Sequence, residues 1–188
     1  MLIDFDIVTV IIGIVIYAIW CVYIYRKKKP VKTYYIFTAV FFVYIMAVIK
    51  LTLFSIVMIG LPANIAKNIN LIPFKNGIGR TEILNIIMTV PFGIGLPVVS
   101  KLRTLKKVTL AGMLFSCMIE ALQLFEAVFT HGFILRVIDV NDLIFNTLGV
   151  VIGYLLLFVI SKVFRISYEE SQEGIKGHFI CAINEVKL

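Results

Sequence analysis

The sequence predicts an all-α protein, a polytopic integral membrane bundle of about five transmembrane helices, and three observations carry that prediction. Apolar residues make up 61% of the chain and charged residues 15%. The chain runs repeatedly for about 20 residues with almost no charge, the length a helix needs to cross the roughly 30 Å hydrocarbon core. Lys and Arg gather beside those runs rather than within them, as topology signals do. The net charge of +7 therefore does not point to nucleic acid, because no basic face interleaved with aromatics emerges. Cys21, Cys117 and Cys181 are scattered, and His131 and His178 do not join them. No disulfide framework, metal-ligand spacing or cofactor motif follows. Residues 1–188 read as a single membrane domain.

The first helix is expected over Phe5 to Tyr25. No positive segment precedes it and no small-residue cleavage site follows, so it reads as a retained span rather than a signal peptide. Behind it lies Arg26-Lys27-Lys28-Lys29-Pro30-Val31-Lys32, the densest basic run, which the positive-inside rule assigns to the cytoplasm. The N-terminus is then outside. The second helix is expected from about Thr33 to Ile59, broken only by Lys50, which lies roughly 25 Å up from the cytoplasmic end. A lysine there either snorkels to the outer headgroups or partners buried acid.

Gly60 to Arg80, with its prolines, asparagines and glycines, reads as a loop. The third helix, about Thr81 to Val99, contains Pro91 and Pro97 and is expected to kink. Lys101, Arg103, Lys106 and Lys107 mark a second cytoplasmic turn. The fourth helix, about Val108 to Phe129, climbs outward to a loop at Thr130 to Val140. The fifth, about Asn141 to Ile160, returns and ends at Lys162 and Arg165. The tail, about residues 166–188, has no clear period and is assigned to the cytoplasm without structure.

Within this apolar chain stand Asn85, Glu120, Gln123, Arg136, Asp139, Asp142 and Asn146. Polar groups at membrane depth are costly and mark a site by default. On the predicted helices they all fall in the outer third: Glu120 about 20 Å up the fourth helix, Gln123 on the same face, and Asn146 one turn below Asp142. Four elements distant in sequence thus meet at one level, with Arg136 and Asp139 closing the top. Unpaired, Glu120 would cost several kcal/mol, so it is expected to be protonated or paired with Arg136 or Lys50. Structural roles compete. Asp142 could cap the fifth helix and Asp139 could favour its dipole, while Asn85, Gln123 and Asn146 could join helices, and Gly149 with Gly153 has the spacing of close helix approach.

The stretches Asn70-Leu71-Ile72-Pro73-Phe74, Glu82-Ile83-Leu84-Asn85, Pro91-Phe92-Gly93, Ile119-Glu120 with Gln123, Arg136-Val137-Ile138-Asp139-Val140-Asn141-Asp142 and Asn146-Thr147-Leu148-Gly149 together resemble the VanZ-like membrane proteins, over about residues 70–154. Where many members have an aromatic residue before the first aspartate, this chain has Ile138. The resemblance implies association with resistance to teicoplanin-type lipoglycopeptide antibiotics in mostly Gram-positive bacteria, without supplying a mechanism.

Two functions remain open at this stage. A binding or shielding protein would hold a membrane lipid, a lipid-linked cell-wall precursor or the lipoglycopeptide drug at an outer-leaflet polar pocket. An intramembrane enzyme would use Glu120 as acid or base, Asp139 and Asp142 as acidic or cation-holding groups and Arg136 on a phosphate. Against the enzyme, no Ser/His/Asp or Cys/His nucleophile arrangement is visible, and two aspartates alone do not fill a metal shell.

Overall fold

The computed structural model describes residues 2–3, 5–28, 30, 32–54, 56–57, 69–75, 77–129, 138–166 and 185–187. Among them are five helices: α1 (Ile7–Lys28), α2 (Lys32–Leu53), α3 (Arg80–Val99), α4 (Leu105–Phe129) and α5 (Val140–Ile166). Each contains a stretch long and apolar enough to cross a membrane. Large apolar side chains such as Ile11, Ile16, Ile87, Leu114, Phe125 and Val159 stand exposed on the outside of the bundle. Lipid is the solvent that tolerates such a surface, and helices are the spanning form because they satisfy their own backbone. The protein is a multi-pass helical membrane protein.

Helix boundaries depart from the sequence expectation where backbone pairing or charge intervenes. α2 stops at Leu53 rather than Ile59 because the chain there turns extended: β2 (Ile56–Val57) pairs antiparallel with β1 (Leu2–Ile3). The N-terminal segment is thereby tied to the end of α2, where Phe5 meets Phe54 edge-on at 5.2 Å. Lys50 turns toward this corner, its ammonium 5.8 Å from the Phe5 ring, and does not reach the buried acids. α5 runs six residues past its expected end to Ile166, with Lys162 and Arg165 in the last turns, where cations are favoured by the helix dipole. α3 continues unbroken through Pro91 and Pro97.

The bundle is organised around α5, which lies between α3 and α4. Glycines set the approach: a Cβ on Gly93 would stand 2.1 Å from the Val150 carbonyl oxygen, and one on Gly153 would stand 2.1 Å from that of Val90. On the α4 side, a Cβ on Gly112 would meet Val150 Cγ1 at 2.7 Å. Small residues let backbones approach when there is no hydrophobic drive between helices in lipid. Phe92, Val98, Val108, Val150, Tyr154 and Leu157 fill the core that results. α2 packs on α3 and α4, and α1 packs on α2, where Tyr17 stacks on Phe42 at 4.8 Å and its hydroxyl meets Thr38 at 3.1 Å.

The tail is the clearest correction. Instead of remaining without structure, residues 185–187 return to the bundle beside the turn between α3 and α4. Lys187 donates to the Arg103 carbonyl at 2.9 Å and accepts from Leu105 N–H at 3.1 Å. Val186 is buried in the core, Glu185 pairs with Arg103, and the Tyr154 hydroxyl stands within donating reach of the carbonyls of Arg103, at 2.8 Å, and Lys187, and accepts the Lys187 N–H at 3.1 Å. An isolated bridge between Lys187 and Thr104 needs no sequence period, so none announced it. The turns between α1 and α2 and between α3 and α4 share this end, joined by Tyr34 donating to the Val99 carbonyl.

Candidate functional site

The opposite end of the bundle carries the polar residues. Two loop segments converge there: β3 (Ile69–Asn70) pairs in parallel with β4 (Ile138–Asp139), in the register Asn70 to Asp139. The Asn70 amide donates to both Asp139 carboxylate oxygens at 3.0 Å. Asp139 in turn accepts the Asn141 backbone N–H at 2.8 Å. That bond caps α5 two residues into the helix. The N-cap is therefore Asp139, so the capping role that competed with a functional one for Asp142 falls to Asp139 instead. Asp142 lies inside the first turn, and its carboxylate accepts from the Asn85 amide of α3 at 2.7 Å.

Asn141 secures the adjoining loop. Its side-chain oxygen accepts the Phe74 N–H at 2.9 Å, and Phe74 holds a left-handed backbone, φ 59°. A bulky residue in that region is strained unless its surroundings fix it. The Asn141 bond and an edge-on contact of the Phe74 and Phe145 rings at 6.1 Å do the fixing. Neither Asn70 nor Asn141 was singled out from the sequence. Both lie in the stretches that carry the family resemblance, and that was the only signal available.

The seven residues expected to form one cluster divide into three groups. Asn85, Gln123, Asp139 and Asp142 line a cavity of about 960 Å³ between α2, α3 and α4, together with Glu82 and Thr52. Gln123 is fixed by donating to the Thr52 carbonyl at 3.0 Å, and Glu82 by accepting the Gly79 N–H at 2.7 Å. Tyr44, Val48, Leu51, Leu84, Ile87 and Met88 supply the apolar wall.

Although Glu120 stands within charge range of Asp139 and Asp142, which line that cavity, Glu120 and Asn146 do not line it. They face the seam between α4 and α5, where the Asn146 amide donates to Ser116 at 3.0 Å. Both Glu120 carboxylate oxygens are buried with no hydrogen-bond partner among the described residues. Asp142 and Asp139 are the charged groups close enough to act on it, and both carry its own sign, while the Asp139 backbone N–H works in the opposite sense without completing a hydrogen bond. Of the alternatives for Glu120, an ion pair with Lys50 is absent among the described residues, and Arg136 lies outside them. The seam is closed on the α3 side by Thr89, whose hydroxyl bridges the Asn85 and Asn146 carbonyls, both at 2.8 Å.

Geometry of this kind makes a prediction about the loop pair. Asn70→Ala should destabilise the protein by about 1–3 kcal/mol, since it removes two bonds to an ionised group. Asn70→Asp should be worse, because it sets carboxylate against carboxylate. Melting temperatures in one detergent check the order, and an Asp variant as stable as the Ala variant would contradict the pairing with Asp139.

A buried polar seam beside a half-apolar cavity can hold an amphiphile by its head and chain, and can retain an uncompensated carboxylate next to it. Neither the curated proteins nor the solved structures contain a match to the chain. One family model does match, that of VanZ/LLP1, over residues 41–161. That range starts well before the expected 70–154, takes in most of α2 and ends five residues before the end of α5, so it contains all the cavity walls and the whole α3–α5 seam. More than half of the chain is covered, and the chain belongs to the VanZ/LLP1 family.

Proposed function

We propose that this protein contributes to resistance to teicoplanin-type glycopeptides, in mostly Gram-positive bacteria, by binding or shielding a lipid-linked component of the cell envelope, or the lipid-bearing drug, at the polar cavity. The observation that carries this is the composition of that cavity, with one end lined by Asn85, Gln123, Asp139 and Asp142 and the other by aliphatic side chains. Binding sites for amphiphiles have this division, a few placed polar groups on an apolar pocket of some hundreds of Å³. The basic segments 26–32 and 101–107 assign the opposite end of the bundle to the cytoplasm. The cavity then opens in the outer leaflet, where an acylated drug and its lipid-anchored target are found. A cysteine placed at Thr130 should accordingly be labelled by an impermeant reagent in intact cells, and labelling only after permeabilisation would put the cavity on the wrong side.

The test of function compares cells with and without the protein. Cells that carry it should bind less labelled teicoplanin while their envelope lipid profile stays unchanged. An Ala47→Trp variant, which fills the cavity wall, should restore drug binding at matched membrane abundance. Unaltered drug binding in cells with the protein would remove the proposal. An intramembrane enzyme acting on a lipid-linked substrate is the alternative, favoured by the buried, unpartnered Glu120 carboxylate. A lipid species that appears or disappears with the protein would establish it instead.

A further inference from the structure

The cavity is open on one side, and the residues that open it say what enters. Leu51 of α2 and Leu84 and Ile87 of α3 line it, yet each is more than half exposed on the outside of the bundle. Ala47 and Pro91 line it and are exposed as well. The wall between α2 and α3 is therefore a cleft facing the hydrocarbon. Its floor is closed where the Tyr44 hydroxyl donates to the Met88 carbonyl at 2.8 Å. From Tyr44 to Thr52 on one side and from Glu82 to Pro91 on the other the cleft runs roughly 12–14 Å at the helical rise. Its upper end is acidic: Glu82, Asp139 and Asp142 line it, and Asp142 lies within range of the charges of the other two. Hydrogen bonds with neighbours use one oxygen of Glu82 and one of Asp142. No lysine or arginine among the described residues lines the cavity. The ion pair found among those residues, Arg103 with Glu185, is at the other end of the bundle.

We infer that the cleft between α2 and α3 is a lateral portal through which an alkyl chain enters from the bilayer, and that the acidic rim selects an amphiphile whose head carries a positively charged amine. This rests on the amphiphile-binding function proposed above and names the chemistry of what is bound. The chain lies along Leu51, Leu84 and Ile87, so no aqueous path is needed. The ammonium sits below the loop pair, donating to the oxygens of Glu82 and Asp142 that no hydrogen bond among the described residues uses. Three carboxylates held together in a low-dielectric rim repel one another, and a cation relieves that repulsion where a neutral head does not. An anionic head would add to it. Selectivity is therefore electrostatic at the rim and indifferent to chain chemistry in the cleft.

The full-length protein in phosphatidylcholine vesicles tests this with two probes that share one chain, a mid-chain diazirine octadecylamine and the corresponding octadecyl sulfate. After photolysis, mass spectrometry should find the amine probe on residues 44–52 and 81–91, with labelling at least about tenfold above that by the sulfate, equivalent to about 1.4 kcal/mol of head-group preference. Ala47→Trp should abolish labelling there by both probes, and Asp142→Asn with Glu82→Gln should bring the amine down toward the sulfate. Equal labelling of the cleft by both wild-type samples would overturn the head-group selection while leaving amphiphile binding in place. Stronger labelling by the sulfate would overturn it in the same way. Labelling of residues outside the cleft alone, by both probes, would remove the portal and the binding function together. The comparison of probes on the wild-type chain does not depend on any variant folding.

Discussion

Gly153→Val should prevent this protein from accumulating as a folded species in the membrane. The Cβ alone would stand 2.1 Å from the Val90 carbonyl oxygen and 3.2 Å from the Gly93 Cα. Both are backbone atoms of α3, so no rotamer change relieves the overlap and the two helices must separate. Overpacking of a core costs typically 1–3 kcal/mol when side chains can yield. Here they cannot, and the cost is expected at about 3 kcal/mol or more. Separation would also act at the far end of the same seam. The Asn85–Asp142 bond of 2.7 Å and the Thr89 bridge to Asn146 of 2.8 Å both span α3 and α5, and shifts of an ångström break bonds of that length. Gly13→Ala is the control: its Cβ would meet the Met46 Cε at 2.7 Å, the end of a flexible side chain that can swing away. Fluorescence-detected size exclusion and thermal melting should show a normal Gly13→Ala protein and an aggregated or absent Gly153→Val protein. A Gly153→Val variant that melts like the parent would mean that α3 and α5 do not pack at this distance.

Much of this architecture was legible because the bilayer is a strict solvent. A helix that must hide about 20 residues from water writes its length in its composition, and all five helices were placed to within a few residues at most ends. What lay outside that constraint was not legible. α2 ends at Leu53 because its successors pair with Leu2 and Ile3, a contact between segments more than fifty residues apart. The return of Val186 to the core has the same long-range character. Within the site, helical rise set the polar residues of α3, α4 and α5 toward one end of the bundle, but it did not state azimuth. Gln123 and Glu120 are three residues apart on α4 and would share a face in a simple projection. Gln123 turns to the Thr52 carbonyl on α2, while Glu120 is buried toward the carboxylates of β4 and α5. A residue at a helix–helix corner is assigned by where the neighbouring helices stand, which one sequence does not state. The choice between Asp139 and Asp142 as cap turned on where the helix begins, the least determined quantity in any such assignment.

Glu120→Gln should leave the fold at least as stable as the parent and abolish the protection against teicoplanin proposed above, because the Glu120 carboxylate acts on Asp139 and Asp142 of the cavity. The amide keeps the size of the side chain and removes a carboxylate that has no partner among the described residues and two acidic neighbours. An ionisable group within a transmembrane helix is disfavoured by about 2.5–3.5 kcal/mol at the bilayer centre and less toward the interface, so relief of about 1–2 kcal/mol is expected on removing the Glu120 charge. A residue kept for packing would show the opposite pattern, with stability lost and protection reduced only as far as abundance falls. Glu120→Leu separates the two further, since it removes hydrogen-bonding capacity along with the charge and should be equally inactive and more stable. Melting temperature, membrane abundance and drug susceptibility measured on the same three strains give the answer. Full protection by Glu120→Gln at parental abundance would return Glu120 to the role of helix contact and rule out acid or base chemistry there. It would leave the cavity lined by Asn85, Gln123, Asp139 and Asp142 as the seat of function. Loss of protection with gained stability is the signature expected of a group held against its own solvation for what it does.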